Sequence, residues 1–420
     1  MNNPNQRTGT TTVNNSFEPK NNLRTGIEIS NKEICQFVVT LVMPLFAFAF
    51  NGECSLKDIV RVIVHACSER ISIEQAAKIF KKAPKAPAIR FHLREKLDIV
   101  TIERMANEIL QNLARPILCG KHLEFAIDVH YIPYHGKPKK DDAEIVRSKA
   151  KSGTTHFHAY ATLYVIVLGK RFTLAVKYIK KGTSNLEIVS FFIDVIQALN
   201  LTIIRLYMDK GFCEVPVINY LKQKGMNAII ALPLKGKTIK SYLKGRKTRI
   251  ISYTMKSQKA KATATFDLAI VCKYSKKKYN KRGAKCFAYA LIGTVSKPRR
   301  VFEEYRKRFG IETSYRILNQ ARARTSSRSP ELRLLYVVIS LIIQNAWVYF
   351  NWSYMRERKQ GVRKANDGIT FYKFLDCIVE GCKAFLGKVT FIITRNIPKV
   401  DLVRRRPLSC CSGGEIIYNY

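Results

Sequence analysis

Between residues 121 and 234 the apolar residues change period in a fixed order, and that order constrains the fold of this chain more than any other feature. "LEFAIDVHYI" alternates as a strand does. "THFHAYATLYVIVLGKRFTLAVKYI" reads as two long strands joined by a tight turn at Gly169–Lys170. "SNLEIVSFFIDVIQALN" is an amphipathic helix opened by a Ser184–Glu187 capping box. Then come the strand "LTIIRLYMDKG", the short helix "CEVPVINYLKQKG" and a further strand, "NAIIALPL". Strand, hairpin, helix, strand, helix, strand predicts a mixed α/β sheet whose parallel strands are joined by helical crossovers.

The flanks follow other rules. Residues 1–30 are polar and read as a disordered arm rather than a signal peptide. Residues 31–115 read as helices: one behind a Ser55 cap, a second from a Ser72–Gln75 capping box, then a turn marked by Pro84 and Pro87. A basic helix with Arg90, His92 and Arg94 follows, the layout of a helix-turn-helix reader as much as of a plain packed bundle. Residues 235–295 break the alternation with a lysine-rich, β-prone insertion and a loop near 274–283. The core is expected over 116–330, and the helical C-terminal region over 331–420 ends in a basic tail containing "VRRRPL". Neither apolar run reads as a membrane span. Residues 37–50 are too short and carry Pro44, while 334–350 is interrupted by Gln344 and Asn345.

Charge narrows the partner. Lys and Arg number 73 and Asp and Glu 31, so the formal net charge is 73 − 31 = +42, spread along the whole chain. Such a field repels itself unless it meets a polyanion, and nucleic acid is the first expectation, ahead of an anionic membrane surface. Eleven cysteines without a CxxC pair read as reduced thiols, in keeping with a cytoplasmic, nucleoid-associated protein.

Against that background two carboxylates stand out. Asp128 and Asp209 each terminate an apolar strand. Alternation puts Asp128 on the face of Glu124 and Ala126, and Asp209 on the face of Arg205 and Tyr207. If the two strands are parallel neighbours, both acids emerge at the carboxyl edge of the sheet, where open α/β sheets place their sites. Paired carboxylates repel unless a cation sits between them, and hard oxygen donors suit Mg²⁺ or Mn²⁺. A lone strand-end aspartate is usually a cap; two at equivalent ends favour metal. In "EEYRKRFGIETSYRILNQARAR", Tyr305, Arg308 and Glu312 are spaced i, i+3, i+7 on one helix face. There Glu312 is the candidate third ligand and Arg308 the fork for a phosphate. His130 and His135, close after Asp128, read as loop residues ahead of contacts to DNA or water in the site, and His156 and His158 as polar residues on a half-exposed strand face ahead of a shared ligand pair. Asp141, Asp142 and Asp194 are the weaker rival acids.

"AIDVHYIPYHG", "YMDKGF" and "YRKRFGIE" together resemble the DDE transposases of prokaryotic insertion sequences, in the insertion-sequence-four superfamily and its archaeal branch. That superfamily's signature is Tyr-x2-Arg-x3-Glu-x6-Lys. Tyr305, Arg308 and Glu312 match its first three positions, while Asn319 stands where the family has lysine. The resemblance covers roughly 120–345. It implies a ribonuclease-H-like core with a β insertion before the catalytic helix, and catalysis by Asp128, Asp209 and Glu312 with two divalent ions. Tyr305 and Arg308 become DNA contacts, and double-stranded element ends and target DNA become partners of a homodimer in the synaptic complex. The alternatives are a structure-specific nuclease on the same core and a DNA-binding protein whose centre has decayed.

Overall fold

The computed structural model describes residues 21–22, 26–46, 55–80, 83–118, 120–138, 142–167, 170–258, 261–274, 283–293, 297–354, 368–385 and 392–395. The expectations for residues 1–20, Gly169, the loop at 275–282, Asp141, Cys410, Cys411 and the "VRRRPL" tail lie outside them.

Strands β1 (Asn21–Asn22) and β2 (Gly26–Ser30) lead into helices α1 (Asn31–Val42), α2 (Leu56–Glu69), α3 (Ile73–Ile79), α4 (Ala86–Lys96) and α5 (Ile99–Leu118). Strand β2 falls within the stretch read as an arm. Its partner, β12 (Ile392–Arg395), lies in the region read as helical, and Ile29 is buried between them and α1. Both anticipated caps form: Ser55 accepts the Asp58 N–H, and Ser72 and Gln75 cap one another reciprocally. Pro87 belongs to the first turn of α4 rather than to the preceding turn, because a missing N–H costs nothing there. Ile89 and Leu93 of α4 face the core, while Arg90, Phe91 and Arg94 face outward.

The central sheet has nine strands: β3 (His122–Pro133), β4 (Val146–Lys151), β5 (Thr154–Val167), β6 (Lys170–Ile179), β7 (Thr202–Met208), β8 (Ala228–Ala231), β9 (Arg249–Ser257), β10 (Ala262–Tyr274) and β11 (Ala284–Ile292). Strands β3, β7 and β8 are parallel, through crossovers by α6 (Asn185–Ala198) and α7 (Val215–Gln223). Strands β5 and β6 run antiparallel on the other side of β3, which makes the ribonuclease-H-like mixed sheet. Alternation separates two apolar layers. Leu123, Phe125, Ile127, Leu206 and Met208 pack against α6 and α7 on one face. Ala126, Tyr207 and Ile229 pack on the other, against Val301, Tyr305 and Tyr315. Each fully buried apolar side chain contributes about 1.5–3 kcal/mol.

The β-prone segment is not a separate layer. After α8 (Lys237–Lys244), β9, β10 and β11 form an antiparallel run, and β11 pairs with β8 from Tyr289–Ala231 to Ile292–Ala228. The insertion therefore extends the core sheet by three strands.

Beyond it lie α9 (Pro298–Arg306), α10 (Gly310–Leu318), α11 (Pro330–Tyr354) and α12 (Phe371–Ala384). Helix α11 is long and apolar enough to cross a membrane. Here it is a core helix, its middle from Leu334 to Ala346 buried against α5, β6 and α1. Gln344 and Asn345, the residues that interrupt its apolar run, are buried too. Asn345 accepts the Thr173 N–H at 3.0 Å and donates to the Thr173 carbonyl at 2.7 Å. Asn107 of α5 does the same for Val176, at 2.8 and 3.1 Å. Two side-chain amides thus satisfy backbone groups of β6 as a neighbouring strand would.

Candidate active site

Strand β3 does not end at Asp128; it continues to Pro133 because β5 pairs with it throughout, Asp128 opposite Thr162. What ends there is the parallel ladder with β7. Its last pair is Ile127–Met208, so Asp128 and Asp209 follow side by side on adjacent strands, about 4.8 Å apart between backbones. Both line one cavity of about 740 Å³, as do Tyr305, Arg308 and Asn319.

The segment carrying Tyr305, Arg308 and Glu312 is not one continuous helix. Helix α9 ends at Arg306, a 3₁₀ turn spans Lys307–Phe309, and α10 starts at Gly310. The three residues expected on one stripe thus occupy α9, the turn and α10, and the tighter turn alters their phase. At the junction the Arg171 guanidinium packs over Gly310 and donates to the Lys307 carbonyl at 3.3 Å. Two ion pairs clamp this segment to the sheet: Arg205–Glu304 at 2.7 Å and Lys307–Glu124 at 2.7 Å. Tyr207 donates a further hydrogen bond to Glu124.

Arg308 is 6 % exposed and sits against both aspartates. Its Nη2 donates to Asp128 Oδ1 at 2.9 Å, and its Nη1 lies 3.8 Å from Asp209 Oδ1. Burial pushes the Asp128 carboxyl above the usual aspartate range; Arg308 pulls it back, and Asp209 raises it again. The two acids thus meet around one positive charge. Two carboxylates at a cavity wall are hard oxygen donors of the kind Mg²⁺ or Mn²⁺ takes, and among the described residues no third Asp, Glu, His or Cys joins them. Glu312 lies in α10 one turn before Tyr315 and Arg316, which line the cavity; its own side chain is outside the described ones.

Tyr305 is buried, and its hydroxyl donates to the Met208 carbonyl at 3.1 Å, one residue before Asp209. It ties α9 to the end of β7. Its ring lies 5.9 Å from the Arg308 guanidinium.

Sequence reasoning missed several cavity residues. His130 is not in a loop; it lies on β3 two residues after Asp128 and stacks on Tyr315 at 4.4 Å. Burial, reinforced by Arg322 and Lys151, lowers its pKa to about 3, so the ring is neutral at ordinary pH. Its position two residues from Asp128 was the available signal, since period 2 puts both on one face. Tyr315 completes the wall, its hydroxyl 2.8 Å from that of Thr162. Lys151, Lys210 and Arg316 add positive charge. His158 is fully buried rather than half-exposed, with Nδ1 3.1 Å from the Tyr178 hydroxyl, because β5 is covered on both faces there. His135, Asp142 and Asp194 are not part of the cavity wall.

A family model described as a transposase DDE domain matches residues 120–346. A cryo-EM structure of a piggyBac transposase synaptic complex with hairpin DNA is similar at a TM-score of 0.49 and 10 % identity, over 86 % of this chain and 83 % of that one. Comparison with curated proteins found no match.

Proposed function

This chain belongs to the transposase DDE domain family and is a DDE-type transposase, and from that premise we propose that it cuts and joins DNA at the ends of its own element. The substrate is the terminal inverted repeat of an insertion sequence of the insertion-sequence-four superfamily. Cleavage by water is followed by attack of the freed 3′-hydroxyl on target DNA. The observation that carries this reading is the convergence of Asp128 and Asp209 on Arg308 at the wall of one cavity.

Asp128, Asp209 and Glu312 are the proposed ligands of Mg²⁺ or Mn²⁺, two ions in the working complex. When bound, such ions stabilise charge on the attacking and leaving oxygens of a phosphodiester. The remaining roles fall to the chain's own groups. Arg308 neutralises the paired carboxylates and presents a fork suited to a phosphate oxygen. Tyr305 positions both Arg308 and the end of β7 through its bond to Met208. Lys210 and Arg316 offset the charge of incoming DNA. His130 is an uncharged stacking wall beside Tyr315, with no proton to supply near neutrality. The helical region before the core, with outward-facing Arg90 and Arg94, is the proposed DNA-binding element of a nucleoid-associated homodimer.

Asp128→Asn, Asp209→Asn and Glu312→Gln are each expected to abolish strand cleavage while leaving DNA binding largely intact. Wild-type cleavage is expected with Mg²⁺ or Mn²⁺ and not with Ca²⁺ or EDTA. Robust cleavage by Asp209→Asn would overturn the ligand assignment, and cutting without joining would favour a nuclease.

A further inference from the structure

A second cavity of about 250 Å³ adjoins the first, and Asn319 lines both. Its wall is built largely of arginine: Arg70 after α2, Arg322 and Arg324 after α10, and Arg333 on α11. Four guanidinium groups around one cavity repel one another. Among the described residues none of the four is paired with a carboxylate.

Arg322 and Arg333 are half-buried, while Arg70 and Arg324 are exposed at the rim. Arg333 Nε donates to the Ser327 carbonyl at 2.8 Å, and its guanidinium lies 5.7 Å from the Tyr134 ring. The Arg324 N–H donates to the Ile71 carbonyl at 3.1 Å, which ties this segment to the end of α2. Arg322 Nη1 is buried with no hydrogen-bond partner among the described residues. Burial holds Arg322 below the ordinary arginine range; Tyr160 opposes this, while Arg333 and Arg70 lower it further. A buried donor without an acceptor is costly, and a guanidinium fork matches the two oxygens of a phosphate bidentately, as it does a carboxylate.

Its place relative to the acids is set by one strand. Asp128 lines the first cavity and Ile132 the second, both on β3. Four residues of strand span about 13 Å, on the order of four base-pair steps measured along the axis of B-form DNA at about 3.4 Å each.

We infer that Arg70, Arg322, Arg324 and Arg333 form a phosphate-binding pocket that grips the DNA backbone a few nucleotides from the scissile position. This rests on the transposase reading for its substrate. Asn319 then forms the seam between the two cavities, where a longer cation would cross it.

The test is binding of a short random-sequence DNA duplex in EDTA, followed by fluorescence anisotropy across a KCl series. Arg322→Gln and Arg324→Gln are each expected to weaken binding about tenfold and to reduce the log–log salt slope by about 0.9. Arg324 is exposed, so its variant retains the fold and carries the test even if Arg322→Gln does not. Unchanged slopes in both variants would overturn the pocket. So would a second pattern: millimolar inorganic phosphate raising the melting temperature only when Arg322 is present, with DNA slopes unaffected, since the pocket would then serve free phosphate. Because no cleavage occurs in EDTA, reduced slopes beside a wild type inert in Mg²⁺ would uphold the pocket and sink the transposase reading instead.

Discussion

Arg308 is the residue on which the centre balances. It is nearly enclosed, and its charge answers Asp128 directly and Asp209 at longer range. Removing one member of such a pair strands the other, so Arg308→Met is expected to lower stability by about 3 kcal/mol in urea unfolding. Adding Asp128→Asn should recover most of that loss; no recovery would mean that Arg308 stabilises through packing alone. Arg308→Lys keeps the charge but loses the fork, and single-turnover cleavage should fall far more than affinity. At this scale the neighbouring placement of the two aspartates was legible, because two apolar runs each leading into an acid need only the local sequence, whereas the continuation of β3 to Pro133 was not. His130 was not. Beyond Asp128 the strand is held by β5 from one side only, and "HYIPYHG" carries the proline and glycine of a loop.

Among the elements, the order of strands and helices in the core was readable from period and caps, since each capping box sits where its helix starts. The break at Lys307–Phe309 was not readable from helical spacing, and Arg171, which packs over Gly310 beside it, is some 140 residues earlier in sequence and brought there only by the fold. The insertion shows a different limit. Its composition marks strands, but composition says nothing of which edge they join, and β11 joins β8. A self-contained module could be cut away. This one covers a parallel strand that would otherwise expose a buried edge, with Ile229 and Ile230 fully enclosed. Deleting residues 235–295 is therefore expected to give an insoluble chain or one without a cooperative melt. A soluble, cooperatively folding deletion variant would show that the sheet closes without it.

For the molecule as a whole, three histidines are enclosed in neutral form. Burial, with nearby cations, lowers His65 to about 4, His130 to about 3 and His158 to about 4. Unfolded histidine titrates near 6.5, so the unfolded chain takes up protons that the folded chain refuses. Their contribution to stability is complete above about pH 6.5 and is lost as pH falls toward about 4. Calorimetry near pH 5.5 should find close to three protons absorbed on unfolding, and an uptake near zero would contradict the burial of these rings. The amides of Asn107 and Asn345 have a separate consequence. A strand at the border of a sheet is a template on which another chain can polymerise. By occupying the Val176 and Thr173 backbone groups, these two side chains remove that template from β6. Copies of this chain can then come together without their sheets fusing along this border.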